Sequence, residues 1–83
     1  MKLKYFAWVR ERIGLAEEEV ELPAGIETAG DLIGYLKARG EGYAHAFERD
    51  RFIRVAADHE HVAHDVSIRG AREVALFPPM TGG

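Results

Sequence analysis

The last seven residues are the part of this sequence best suited to chemistry, and they are Phe77-Pro78-Pro79-Met80-Thr81-Gly82-Gly83. The two prolines fix φ and remove two backbone donors, so a strand that ends at Phe77 cannot keep pairing beyond it. Gly82 and Gly83 lack a Cβ, so a terminal carboxylate could pass down a narrow channel. A frayed terminus would explain a bare Gly-Gly more simply, but it would not need the rigid prolines. We therefore expect a stiff tail that presents Gly83 to another protein.

Size and composition restrict what the rest of the chain can do. A domain of 83 residues buries only about 60–65% of its unfolded surface, so a partner must supply any deep pocket. The net charge of −3 argues against nucleic acid as a partner. The absence of cysteine excludes disulfides and a thiol nucleophile. Met1 leads into a strand pattern without a signal peptide or a membrane-length apolar run, so we expect a soluble, cytoplasmic protein.

The first part of the chain has the alternation typical of strands. Residues Lys2–Arg10 alternate, with Phe6 and Trp8 on the face that also carries the charged residues. A strand with one buried face does not need these two aromatic side chains, so either both faces are covered or Phe6 marks a contact surface. Gly14 turns the chain, and Glu17–Leu22 alternates again. The pattern predicts an antiparallel hairpin with a short turn.

One amphipathic helix is predicted after Thr28. Thr28 and Asp31 have the spacing of a capping box, and apolar residues follow at helical spacing until Gly40. Gly34 lies inside this helix at a cost of about 1 kcal/mol relative to alanine, so we expect it to pack closely against a strand. The sequence of the next segment, Glu41–Asp50, fits two interpretations: it forms a further helical turn, or Gly42 breaks the helix.

The remaining elements are short strands. Further strands are predicted at Arg51–Ala57, around Val62 and at Glu73–Phe77. The order of elements predicts an α+β domain with one helix packed on one sheet.

With these elements in this order, the sequence resembles the molybdopterin synthase small-subunit family of ubiquitin-like sulfur carriers. The likeness covers the whole chain, and its most specific motif is the Phe-Pro-Pro-x-x-Gly-Gly ending. Further matches lie at Lys4–Glu11, after Thr28 and at Val55–Ala57. The resemblance implies a β-grasp fold over residues 1–77, which is a mixed sheet packed on one main helix, with the first and last strands adjacent at the centre of the sheet. Residues 78–83 would form an extended tail.

The sequence departs from the family pattern at three places. Gly70–Glu73 stands where the family has a Gly-Asp-Glu turn, and Ala57-Asp58 replaces Val-Asn. His61 occupies a position that is often apolar and lies near the partner surface. We expect these changes to alter details of the interface rather than the tail.

The resemblance also implies a reaction. An ATP-using adenylyltransferase, similar to those that activate ubiquitin, would adenylate Gly83, and sulfur would then displace AMP to give a thiocarboxylate. The tail would enter the large subunit of a heterotetrameric synthase and deliver sulfur to a pyranopterin precursor. The chain would bind no cofactor itself and would be a non-catalytic subunit of a transferase complex.

By match to the family, Phe6, Arg10 and Phe77 would lie on the surface that meets both partners. The alternative to partner contact is core packing for Phe6 and Phe77. For Arg10, the alternative is a position at a solvated strand end. Adjacent tail residues would also contact the partner, namely Pro78, Pro79, Met80, Thr81 and Gly82.

Other functions stay open at this point. His59, His61 and His64 are spaced as metal ligands could be, although three histidines in a polar loop need no explanation, and we predict no metal site. Within the fold, the rivals are sulfur carriers for thiamine or for tRNA thiolation and a ubiquitin-like modifier joined to lysines. A further functional class is a protein-interaction module whose tail takes part in no reaction.

Overall fold

The computed structural model describes residues 1–79. The elements in chain order are β1 (Lys2–Tyr5), α1 (Ala7–Ile13), β2 (Glu17–Glu19), α2 (Ala29–Lys37), α3 (Glu41–Ala46), a 3-10 turn (Asp50–Phe52), β3 (Arg54–Ala57), β4 (Glu60–Val62) and β5 (Glu73–Phe77). The sheet has the order β2-β1-β5-β3-β4. Strand β5 is parallel to β1 and antiparallel to β3, so the sheet is mixed, with the first and last strands adjacent at its centre as expected.

The core lies between one face of this sheet and the helices. Leu3, Val55 and Leu76 from the strands and Leu32 and Leu36 from α2 are buried in one cluster. The capping box of α2 is confirmed, because the Thr28 hydroxyl accepts from the Asp31 N–H at 3.0 Å and the Asp31 carboxylate accepts from the Thr28 N–H at 3.1 Å. These reciprocal bonds satisfy backbone donors that have no partner within the helix.

The prediction of one long strand over Lys2–Arg10 is wrong beyond Tyr5. Strand β1 ends there, and helix α1 follows immediately and buries Val9. Apolar residues at 5, 9 and 13 fit a helix as well as the alternation fits a strand, and tertiary packing decides between the two. Gly14 does turn the chain, but it does so as the left-handed C-cap of α1, with φ of 90°. Strands β1 and β2 pair antiparallel as predicted, although a helix rather than a short turn connects them.

The close approach expected at Gly34 is found at Gly42 instead. Gly34 is exposed, and a Cβ added there would meet no atom within 4 Å. A Cβ on Gly42 would lie 2.8 Å from the Arg12 carbonyl oxygen, so this glycine lets α3 pack against the end of α1. The segment that the sequence left open therefore forms a helix that contains its glycine.

Strand limits also differ from the predictions at two places. Strand β2 ends at Glu19 rather than Leu22, and β3 begins at Arg54 because the preceding residues form the 3-10 turn. Strand β5 has the predicted limits.

The division into a domain of residues 1–77 and a tail of residues 78–83 stays a prediction. The predicted site residues Met80, Thr81, Gly82 and Gly83 lie outside the described residues. Within residues 1–79, no helix is long and apolar enough to cross a membrane.

Candidate functional site: an apolar groove at the root of the tail

The end of the central strand β5 lies at an apolar groove. The groove has a volume of about 650 Å³ and is lined by Phe6, Ala7, Trp8, Ala75, Phe77, Pro78 and Pro79. These residues come from the β1–α1 junction and from the last strand with the two prolines that follow it. Because β1 and β5 pair in parallel, both of their carboxyl ends meet at this edge of the sheet. The groove therefore surrounds the point where the chain leaves the fold.

The local backbone explains why Phe6 lies on the outside. Tyr5 pairs with Leu76 and is 1% exposed, whereas the next side chain, Phe6, is 46% exposed. The Phe6 N–H still donates to the Leu76 carbonyl at 3.2 Å, so its backbone continues the ladder. Ala7 then takes a left-handed φ of 51° as α1 begins. Phe6 is thus exposed at the surface and is not a core residue, so core packing, the alternative left by the sequence, is excluded.

Phe77 lies on the same side of the sheet as Phe6 and is half-buried. Its ring meets the ring of His61 edge to face, with centroids 5.4 Å apart. Ala56, which lies between the two strands that carry these rings, pairs with both Ala75 and His61. The small side chains of Ala56 and Ala75 therefore leave this face of the sheet low between its aromatic rings. His61 lies beside Phe77.

The structure brings together four of the five predicted contact residues that it describes. Phe6, Phe77, Pro78 and Pro79 line the groove, but Arg10 does not. Arg10 is exposed on α1, and within residues 1–79 no carboxylate lies within ion-pair distance of it.

The sequence-based site omitted Trp8, Ala7 and Ala75. The sequence pattern already pointed to Trp8. It lies two residues from Phe6, on the face with the charged residues, where a strand with one buried face needs no aromatic side chain. Ala75 could have been found from the strand period, because it alternates with Phe77 on one face.

A second group of polar and aromatic residues lies under the other face of the sheet. The Glu18 carboxylate accepts hydrogen bonds from the hydroxyls of Tyr5 at 2.7 Å and Tyr43 at 2.6 Å, and it lies 3.2 Å from the Arg39 guanidinium. We call these four residues the Glu18 cluster. Its bonds join β1, β2 and α3 to the end of α2.

The protonation states of the Glu18 cluster follow from these contacts. Burial raises the pKa of Tyr5 far above its ordinary value, and the bond to Glu18 adds to this effect. Burial alone would raise the pKa of Glu18, but the hydrogen bonds from Tyr43 and Tyr5 and the charge of Arg39 together lower it. The carboxylate is therefore ionised at neutral pH and already occupied by donors, which makes the cluster a structural element rather than a general base.

The three histidines do not converge. His64 Nε2 lies 2.7 Å from the Ile53 carbonyl oxygen, His59 Nε2 lies 3.9 Å from the Glu73 carboxylate, and His61 packs against the ring that ends β5. Within the described part of the chain, no three His, Cys, Asp or Glu side chains form a group that could hold a metal ion. Each histidine has a contact of another kind.

Comparison with known proteins identifies the family. The model of the ThiS family matches residues 3–83, which is nearly the whole chain. The chain belongs to the ThiS family. A curated relative of this ThiS-family chain, the molybdopterin synthase sulfur carrier subunit of Escherichia coli strain K12, is 32% identical over 83 residues. The alignment covers 100% of this chain and 99% of that protein.

Solved structures agree with the family assignment. The putative molybdopterin converting factor, subunit 1, of Pyrococcus furiosus superposes with a TM-score of 0.72 at 32% identity and covers 94% of each chain. The H. volcanii small archaeal modifier protein 1 has a TM-score of 0.70 at 28% identity and covers 95% of each chain. These matches confirm the ubiquitin-like β-grasp fold and the resemblance to the sulfur carrier subunits of molybdopterin synthase.

Proposed function

We propose that the protein is the sulfur carrier subunit of molybdopterin synthase and that Gly83 carries the sulfur. The observation that supports this most is the apolar groove at the root of the tail. The exposed Phe6 and the half-buried Phe77 line this groove beside Pro78 and Pro79, so the surface that a partner would cover is the surface from which the tail leaves. A relative that matches over 99% of its own length, from Escherichia coli strain K12, is named molybdopterin synthase sulfur carrier subunit.

The proposed reaction starts from the carboxylate of Gly83, which is a poor electrophile. An adenylyltransferase joins it to the α-phosphate of ATP with release of pyrophosphate, and hydrosulfide (HS⁻) from a sulfur donor then attacks the acyl carbon, expels AMP and loses its proton. The product is a thiocarboxylate, whose ionised sulfur is a nucleophile at neutral pH. The carrier needs no thiol of its own for this chemistry, which agrees with a chain that has no cysteine.

Transfer would take place in the large subunit of the synthase. There the thiocarboxylate sulfur would displace an oxygen leaving group from a carbon of the pyranopterin precursor, and water would hydrolyse the resulting thioester, which leaves the sulfur on the precursor and returns Gly83 to a carboxylate. The aromatic groove anchors the carrier on this subunit, because exposed aromatic side chains bury much area at low entropic cost. The two prolines restrict the tail before binding, so less conformational entropy is lost on insertion. Glycines at the end would fit a channel narrow enough to exclude water. The same surface would serve the adenylyltransferase.

The likeness to a modifier protein supports a second candidate function. The H. volcanii small archaeal modifier protein 1 matches at 28% identity with a TM-score of 0.70. After the same adenylation, a lysine amine of another protein would attack the acyl carbon of Gly83, expel AMP and lose a proton, which forms an isopeptide bond instead of a thiocarboxylate.

Complementation tests the proposal and separates the two candidates. The full chain and a chain without Gly83 are expressed in a strain that lacks the synthase small subunit. We expect the full chain to restore molybdopterin and the shortened chain to fail with an unchanged melting temperature. Restoration by both chains would refute the carrier role of Gly83. Failure of both, together with lysine conjugates in the lysate, would favour the modifier.

A further inference from the structure

The apolar surface continues past the root of the tail into a second groove. Trp8 and Pro79 line both grooves, and Arg49 and Phe52 complete the second one, which has a volume of about 270 Å³. We call this second site the Phe52 groove. The two grooves lie side by side along the start of the tail and form one continuous surface.

Phe52 is held outward by the fold. It ends the 3-10 turn, where its N–H donates to the Arg49 carbonyl at 3.0 Å, and it is 47% exposed. The next residue, Ile53, is 1% exposed and belongs to the core. Because Ile53 is buried directly after the turn, the backbone places the Phe52 side chain at the surface.

The charges around the Phe52 groove are unbalanced. Four charged residues precede Phe52, and each of the two acidic ones is balanced by a cation: Glu48 lies 3.7 Å from Arg12, and Asp50 lies 3.6 Å from Lys37. For Arg49 and Arg51, no carboxylate of residues 1–79 lies within ion-pair distance. The rim of the groove is therefore positive although the chain as a whole has a charge of −3.

A cation lies over the ring of the partly buried Trp8 and another over the ring of the exposed Phe52. The guanidinium of Arg12 lies 4.5 Å from the centre of the Trp8 ring, and that of Arg51 lies 5.2 Å from the centre of the Phe52 ring. Aromatic and arginine side chains are the types that contribute most to binding energy at protein interfaces.

We infer that the Phe52 groove binds an acidic, apolar segment of the protein that receives the tail. An apolar side chain of that segment would lie between Trp8 and Phe52, and its flanking carboxylates would meet Arg49 and Arg51. The inference rests on the proposed function and names the synthase large subunit as the partner. A subunit of a lasting complex buries a larger and more apolar area than a transient partner does, and the Phe52 groove extends the covered surface beyond Phe6 and Phe77.

The test is the affinity of the full carrier for the large synthase subunit of the same organism, measured by calorimetry at low and high salt. Phe52→Ala should weaken binding by about tenfold because it removes a central aromatic anchor. Arg49→Glu should weaken binding by a similar factor at low salt and by less at high salt, since it acts through charge at a solvated rim.

Two matched variants control for size and charge. Val66→Ala shortens another exposed apolar side chain, and Arg72→Glu reverses another exposed arginine, and neither residue lines a groove. Both controls should bind within about twofold of the original protein. All four variants should keep its melting temperature.

Each contrary result has a separate meaning. Unchanged binding by Phe52→Ala and Arg49→Glu, with weaker binding by Phe6→Ala, would overturn the Phe52 groove as a contact and leave the proposed function intact. Weaker binding with a matching fall in melting temperature would also overturn it, since Phe52 would then be structural. If the original protein does not bind the large subunit at all, the proposed function fails, and this inference fails with it.

Discussion

Tyr5 and Phe6 are neighbours in sequence, yet they belong to two regions that use aromatic side chains in opposite ways. Tyr5 lies in the Glu18 cluster, where its hydroxyl donates to a carboxylate that Tyr43 and Arg39 also contact. Phe6 lies in the groove at the root of the tail, and its ring is almost half exposed. The polar groups of the Glu18 cluster are satisfied by hydrogen bonds within the domain, whereas the groove at the root of the tail is accessible to solvent.

The difference separates aromatic residues that support the fold from aromatic residues that are accessible to a partner. In the Glu18 cluster every charge has a counterpart within the domain, so substitutions there should change stability. In the two grooves Phe6, Trp8 and Phe52 meet solvent, and the nearby Arg49 and Arg51 have no carboxylate partner within residues 1–79. Substitutions there should change binding.

The largest effect on stability is expected for Tyr5→Ala. It removes a buried ring and leaves Glu18 with one donor fewer, so the free energy of unfolding should fall by about 3–5 kcal/mol. Urea denaturation measures this loss. A loss below about 1 kcal/mol would mean that the Glu18 cluster does not support the fold as described.

A smaller effect is expected where α3 packs on α1, the helix that carries Trp8. Gly42→Ala would place a Cβ 2.8 Å from the Arg12 carbonyl oxygen and should lower the free energy of unfolding by about 1–3 kcal/mol. Gly34→Ala is the matched control in an open helical position, and it should raise that free energy by about 0.5–1 kcal/mol. The same sign for both variants in urea denaturation would contradict the packing of these helices.

The ionised state of Glu18 predicts a dependence on pH. The pKa of Glu18 is lowered in the folded state, so its contribution is complete above the unfolded value of about 4.3 and is lost as the pH falls through the folded value. Glu18→Gln should cost about 1–2 kcal/mol at pH 7. The difference from the original protein should shrink below about pH 4, because glutamine does not titrate.

Denaturation at several pH values checks this prediction. Glu21→Gln is the control, since Glu21 is exposed and forms no hydrogen bond or ion pair with its side chain within residues 1–79. A difference for Glu18→Gln that stays constant from pH 7 to pH 3 would show that its charge does not matter.

The smallest effect on stability is expected for Phe6→Ala. The side chain is exposed, so the free energy of unfolding should change by no more than about 0.5 kcal/mol. Affinity for the large synthase subunit should nevertheless fall about tenfold, as measured by calorimetry. A loss of stability close to that of Tyr5→Ala would erase the distinction between the two regions.

Local signals in the sequence were sufficient for some elements. The Thr28 capping box and strand β5 follow from short-range patterns and are confirmed. Their physical causes act within a few residues, as side-chain bonds to neighbouring backbone groups and as alternation that ends at a proline.

Other features depend on contacts between distant parts of the chain. The segment after Tyr5 fits both a strand and a helix by its apolar spacing, and packing of α1 against α3 selects the helix. Gly34 and Gly42 are both glycines within helices, and the sequence does not distinguish their surroundings. Only Gly42 packs against the backbone of another helix. The Phe52 groove combines residues 8, 49, 52 and 79, and no local pattern relates them.

Intact mass spectrometry tests the central claim most directly. The protein is incubated with ATP, the adenylyltransferase and a sulfur donor, and reactions without ATP serve as controls. The account predicts an ATP-dependent mass increase equal to the replacement of one oxygen atom by sulfur, mapped to Gly83. No such increase, with an enzyme that is active on another carrier, would contradict the role of the protein as a sulfur carrier.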